Sequence, residues 1–164
     1  MNAKDLKKYF ENFLIVFLIY LVDRLSKIYV IHLSNKIAGS EIYYSKFLNI
    51  NLIWNKGIAF GLFSFDEKYF YNILTIIIFI IIITICFMLN NTSIFKKYSL
   101  LMILGGALGN FSDRVFYKAV PDFIDLHYEN FHWFIFNIAD IFISIGVISL
   151  IIIELFDTNK KDLL

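Results

Sequence analysis

Ile76-Ile77-Ile78-Phe79-Ile80-Ile81-Ile82-Ile83 is the stretch that decides the fold. It lies within Tyr69–Phe95, a segment with no charged residue. A helix needs about 20 apolar residues to cross a bilayer core about 30 Å thick. A helix that is apolar all round faces lipid or the interior of a large protein. This chain has only 164 residues, yet it is 59% hydrophobic, with a mean hydropathy of +0.70. That is more apolar surface than a soluble domain of this size hides. It is also too apolar for disorder, which needs low hydrophobicity and high net charge. The net charge of +1 supplies no basic stripe for nucleic acid. The single Cys86 makes no internal disulfide, and no paired-Cys metal framework exists. A small, multi-span, single-domain membrane protein remains.

Working outward, three more segments qualify as spans. The expected spans cover about residues 12–33, 69–90, 97–114 and 131–156. The first meets Asp23, Arg24 and Lys27 after Val22, the third ends in Asp113-Arg114, and the fourth is interrupted by Asn137, Asp140 and Glu154. Lys4, Lys7 and Lys8 ahead of an apolar run look like the start of a signal peptide. No small-x-small cleavage site follows Val22, so a retained first span is expected. The N-tail 1–11, the loop 90–97 and the C-tail 157–164 hold 7 Lys in 27 residues, against 5 Lys in 58 residues for 32–69 and 115–134. Lys/Arg bias sets orientation, so both termini are expected in the cytoplasm and the long connections outside. Within 32–69, Leu48, Ile50, Leu52 and Trp54 alternate with Asn49, Asn51, Ile53 and Asn55. Period 2 argues a strand, Asn55-Lys56-Gly57 reads as a turn, and Ile58–Gly61 reads as a returning strand. A small sheet over about residues 40–62 is therefore expected at the outer surface.

Ionisable residues inside a membrane are costly and mark function. Asp23, Lys27, Asn110, Asp113, Arg114, Asn137 and Asp140 all fall toward the outer side, with Asp122 close by in the outer connection. Asp23 and Lys27 are four apart and share a helix face, as a structural ion pair or as support for a site. Asn110 and Arg114 are also four apart, and Arg114 must find a carboxylate, a carbonyl or a lipid phosphate. Asn137 and Asp140, three apart, share a face too. Asp122 and Asp140 are eighteen apart and so belong to different elements. Two carboxyls facing each other in a low-dielectric cleft share a proton. One then takes a proton from water while the other protonates the carbonyl or the leaving amine, which is aspartic-protease chemistry. Ser112 has no His within helical reach, and Cys86 has no base nearby. His127 and His132, five apart, do not fit a helical metal pair and read as solvent-facing or interfacial. Asp125 reads as a supporting or exposed carboxylate.

Five blocks in this order resemble bacterial lipoprotein signal peptidase (signal peptidase II): Asp23-Arg24-Leu25-Ser26-Lys27; Asn55–Gly61; Gly105–Arg114; Val120-Pro121-Asp122-Phe123-Ile124-Asp125; and Phe136-Asn137-Ile138-Ala139-Asp140. The resemblance covers nearly the whole chain. It implies four transmembrane helices with a small extracytoplasmic β-cradle and a short flanking helix. It implies an inner-membrane aspartic endopeptidase that cuts prolipoproteins just before a diacylglyceryl-modified Cys, its active site toward the outer face. The family's catalytic pair maps onto Asp122 and Asp140. Asn55, Gly57, Asn110, Arg114 and Asn137 map around the site, with Asp23 and Lys27 in support. No metal or organic cofactor is implied. The expected partners are prolipoprotein substrates and membrane lipids, with no nucleic acid, and a monomer is expected. One departure is Pro121, where the family usually has Val; it is expected to stiffen the backbone at the start of a helical turn. From the residues alone, a small proton-coupled transporter or membrane assembly factor also holds buried carboxylates. The absence of visible repeats tells against it.

Overall fold

The computed structural model describes residues 2–57, 68–129 and 131–161. Among these residues, four long helices, α1 (Ala3–Ile37), α2 (Lys68–Met88), α3 (Ile94–Tyr117) and α4 (Ile138–Lys161), carry a four-stranded sheet at one end. The strands β1 (Glu41–Tyr43), β2 (Leu48–Asn55), β3 (Val120–Tyr128) and β4 (Phe131–Phe136) run antiparallel in the order β1-β2-β3-β4. A short 3-10 turn, Leu89–Asn91, links α2 to α3.

Local chemistry sets the helix ends. Asn2 accepts from the Asp5 N–H while Asp5 accepts from the Asn2 N–H, a reciprocal cap on α1. Ala38 (φ 52°) and Lys118 (φ 58°) end α1 and α3 in the left-handed conformation. Tyr71–Met88 in α2 and Ile138–Asp157 in α4 are long and apolar enough to cross a membrane. Their outward residues stay bare: Ile76, Ile80, Ile148 and Leu155 are each more than half exposed. Apolar surface on that scale marks contact with lipid or a partner.

Helix α3 is the centre of the bundle and touches the other three helices. Its glycines allow close approach. A Cβ on Gly105 would lie 2.8 Å from Ile19 of α1, and one on Gly106 would lie 2.5 Å from the Ala139 carbonyl oxygen of α4. Small residues at such crossings let backbones meet where lipid supplies no hydrophobic drive. Ile82 and Ile85 of α2 pack with Leu100, Leu104 and Ala107 of α3. Val30 of α1 packs with Leu52 and Phe123 of the sheet, which fixes the sheet over the end of α1.

The structure corrects three expectations. Residues 131–136 are not the start of the fourth span; they form β4, paired with β3, and the helix begins at Ile138. Hydropathy alone does not separate an apolar strand from the head of an apolar helix, and the hairpin partner decides it. The sheet also extends beyond residues 40–62, because β3 and β4 supply half of it. Pro121 lies in β3 opposite Trp54, not in a helical turn. Since β4 pairs only from Ile124 onward, Pro121 has a strand on one side only, where a missing donor is tolerated. The expected strand at 58–61 lies outside the described residues, and no short helix flanks the sheet among them.

Candidate active site

The start of α4 explains the Asn-Ile-Ala-Asp block. Asn137 Oδ1 accepts from the Asp140 N–H at 3.1 Å, and Asp140 Oδ2 accepts from the Asn137 N–H at 3.2 Å. This is a capping box with Asn and Asp in place of Ser/Thr and Glu. A third orphan donor, the Ala139 N–H, is taken by Asp23 Oδ1 of α1 at 2.9 Å. The cap leaves the Asn137 amide free to point elsewhere, and it donates to Asp122 Oδ1 at 2.6 Å. One fully buried asparagine thus holds both carboxyls of the candidate pair.

Asp122 comes from β3, opposite Ile53 of β2. Two residues on from Ile53, Asn55 donates to Asp122 Oδ2 at 2.8 Å and accepts from the Gly57 N–H at 2.7 Å. Both carboxyls are almost closed to solvent, Asp122 at 2% and Asp140 at 4% exposure. Burial first, and the charge of Asp140 second, push the Asp122 carboxyl from the ordinary 3.8 up to about 7; the bonds from Asn55 and Asn137 oppose this.

Behind the pair lies a buried charge cluster. Lys27 Nζ donates to Asp23 at 2.8 Å, to Asp113 at 2.7 Å and to Asn110 Oδ1 at 2.8 Å. Asn110 passes the contact on, donating to Asp140 Oδ1 at 2.8 Å. Arg24 also pairs with Asp113. Gly109 leaves room for Asp23, whose carboxylate occupies the place of a Cβ. Arg114 finds backbone carbonyls as partners, Asn110 O at 3.1 Å and Gly57 O at 3.0 Å. That second bond ties α3 to the turn after β2.

The structure therefore gathers Asp23, Lys27, Asn55, Gly57, Asn110, Arg114, Asn137, Asp122 and Asp140 into one network. Asp113 and Arg24 join it as well, and charge within the same polar belt was their signal in the sequence. Unread in the sequence was a cavity of about 290 Å³ between α2, α3 and α4. Leu74, Ile77, Ile81 and Ile103 line it, and Asn110, Arg114 and Asp140 form its polar end. Because α2 is apolar all round, no face of it stood out. A cleft of about 240 Å³ beside Ile141, Ile145 and Ile148 also reaches Asp140. A third cavity, of about 280 Å³, lies away from the carboxyl pair beside Lys8, Asn12 and Cys86.

Comparison with known proteins shows the family. Residues 15–156 match the family model described as signal peptidase (SPase) II. A lipoprotein signal peptidase of Pelagibacter ubique (strain HTCC1062) is 52% identical over 161 residues, covering 98% of this chain and 97% of that one. One of Anaplasma phagocytophilum (strain HZ) is 36% identical, covering 92% and 95%. A bacterial membrane enzyme solved by the in meso method at 2.3 Å resolution is 37% identical with a TM-score of 0.73, covering 92% of this chain and 91% of its own. The family match spans most of the chain, and the carboxyl pair with its asparagine bridge lies within the matched residues. The chain belongs to the signal peptidase II family.

Proposed function

We propose that this chain is a bacterial inner-membrane aspartic endopeptidase that removes the signal peptide from diacylglyceryl-modified prolipoproteins, cutting just before the lipidated Cys, with Asp122 and Asp140 as its catalytic pair. The observation that carries the reading is the bridge of Asn137 between two buried carboxyls at the polar end of an apolar cavity. The names of the relatives support the substrate class. They leave the transporter or assembly-factor alternative without support.

All four helices span the membrane in this reading. The termini lie in the cytoplasm, and the sheet rests on the outer surface. Tyr43, Phe47, Trp54, Tyr128 and Trp133 are exposed on or beside the sheet, and aromatic side chains of this kind favour the headgroup level. The substrate enters laterally from the lipid as a single chain meeting a single enzyme molecule. Its apolar segment and acyl chains lie along the cavity of α2, α3 and α4. Its scissile carbonyl meets the carboxyl pair below the sheet.

With one carboxyl protonated, the ionised partner takes a proton from water, and the water oxygen attacks the carbonyl carbon. The protonated carboxyl donates to the carbonyl oxygen. Collapse of the tetrahedral intermediate breaks the C–N bond, and the amine leaves with a proton from the pair. Burial and the facing carboxylate raise the Asp122 carboxyl, which favours a proton shared by the pair. Asn55, Asn110 and Asn137 position the carboxyls, while Arg114 and Gly57 shape the wall beside them. Lys27 and Asp23 set the charge behind the site. The chemistry draws on two carboxyls and water alone. The test is a processing assay on a diacylglyceryl prolipoprotein with each Asp replaced in turn. Full processing by either variant overturns the pair, and equal cleavage of an unlipidated precursor overturns the substrate class.

A further inference from the structure

The β3–β4 hairpin holds a second polar cluster that the proposed reaction does not use. Asp125 is three residues on from Asp122, an odd spacing that turns it to the other face of the strand. Its carboxylate is buried, accepts from Asn49 Nδ2 at 3.3 Å and lies 2.9 Å from His132 Nδ1. His132 stands opposite His127 in the hairpin register. Their rings stack at 5.0 Å with 17° between planes. The backbone at His127 is fixed, its N–H donating to the Phe47 carbonyl at 3.1 Å. Five residues is the wrong spacing for two ligands on a helix, but across a hairpin it makes them direct neighbours.

One carboxylate oxygen and one nitrogen from each ring lie within 4.8 Å of one another. His127 Nδ1 is buried and has no hydrogen-bond partner among the described residues. A buried polar atom without a partner calls for an explanation, and a bound ion is one of the few. We propose that Asp125, His127 and His132 bind one divalent transition-metal ion of the zinc class. Two imidazoles and a carboxylate are a donor set that zinc accepts, with water in the fourth position. Ligand bonds of about 2.0–2.2 Å set the donors about 3.4 Å apart around a tetrahedral ion. The donors start within 4.8 Å of one another, and the stacked rings turn out of parallel so that a nitrogen of each faces the ion. Asn49 supplies the outer hydrogen bond that orients the ligating carboxylate. The ion clamps β3 to β4, between the strand that carries Asp122 and the turn that presents Asn137. The proposal stands apart from the peptidase reading, since none of its ligands touches the carboxyl pair in a bond described above.

The experiment uses the full chain in detergent, stripped of metal and free of any histidine tag. Zn2+ is titrated calorimetrically, and Co2+ is followed by its visible absorption. The expected result is one bound equivalent, a higher Tm with Zn2+ and a tetrahedral Co2+ spectrum. His127→Ala and His132→Ala each weaken binding about tenfold or more, and Asn49→Ala weakens it about tenfold. His32→Ala, on α1 and exposed, leaves binding unchanged. Thermal unfolding without metal shows that each variant folds, and the exposed His132 also takes Gln as a gentler replacement. No saturable Zn2+ binding by the native chain overturns the site, and so does an unchanged affinity in a folded variant carrying both His127→Ala and His132→Ala.

Discussion

Asn137 donates its side-chain amide to Asp122 across 2.6 Å, joining the first turn of α4 to the third strand of the sheet. The same side chain caps the helix that carries Asp140. Position of the two carboxyls and stability of the helix end are thereby the same piece of chemistry.

Removing either carboxyl tests the pair directly. Asp122→Asn and Asp140→Asn are each expected to lower processing of a diacylglyceryl prolipoprotein by at least about 10²–10⁴-fold, the range for a lost general acid or base. The variants must still be recovered folded from membranes. A rate within tenfold of the native one for either variant rules out the pair.

Asn137→Ala separates positioning from chemistry. Loss of a cap costs about 0.5–2 kcal/mol, and loss of the bridge lets the carboxyls drift. The expected outcome is a modest drop in Tm with a much larger drop in kcat and little change in KM. An effect on KM alone argues against a positioning role.

Asp122 links stability to pH. Its carboxyl binds a proton up to about pH 7 in the folded chain, against about 3.8 in the unfolded one. Between these values the folded state holds more protons, so this group's contribution to stability falls as pH rises through that window and is fully present below it. In Asp122→Asn the dependence is gone. The Tm of the variant minus that of the native chain is therefore expected to grow from pH 4 to pH 7 and then level off. A difference that stays flat over this range contradicts the assignment.

Lys27 is the cation that Asp23 and Asp113 share in the interior. Lys27→Met removes it and leaves the two buried carboxylates with Arg24 as their remaining cation, and breaking a buried pair costs about 3–5 kcal/mol. Thermal unfolding in detergent should show a clear loss. The triple variant Asp23→Asn, Lys27→Met, Asp113→Asn should recover part of it. A Lys27→Met protein as stable as the native one removes the cluster from the folding account.

The glycines of α3 differ sharply from the one after α1. Gly106→Ala drives a Cβ against the Ala139 carbonyl, which is backbone and does not step aside. It is expected to destabilise by about 1–3 kcal/mol, the usual cost of overpacking. Gly39→Ala meets nothing closer than 4.0 Å and is expected to leave Tm unchanged. Equal Tm values for the two variants count against close crossing of α3 and α4.

The membrane class and the order of the helices were legible in the sequence, because each is a property of composition along one segment. The run Ile76–Ile83 needed no partner to be read. The strand 48–55 was legible too, from its alternation. The strands 120–128 and 131–136 were not. Phe131–Phe136 is continuously apolar and aromatic apart from His132, and only pairing with β3 distinguishes it from the head of α4. With 131–136 in the sheet, Asp140 lies in the first turn of α4.

The sequence by itself determined which residues carry charge into an apolar chain and in what order they come. Tertiary structure alone decided their partners. Asp122 and Asp140 meet because a hairpin returns the chain to the sheet just before α4 begins, and Lys27 reaches Asp140 only through Asn110 on another helix. Hydrogen bonds act over about 3 Å, and no spacing along the chain predicts a separation that small between elements more than eighty residues apart. Composition follows from one segment at a time, whereas a site follows from how the segments pack.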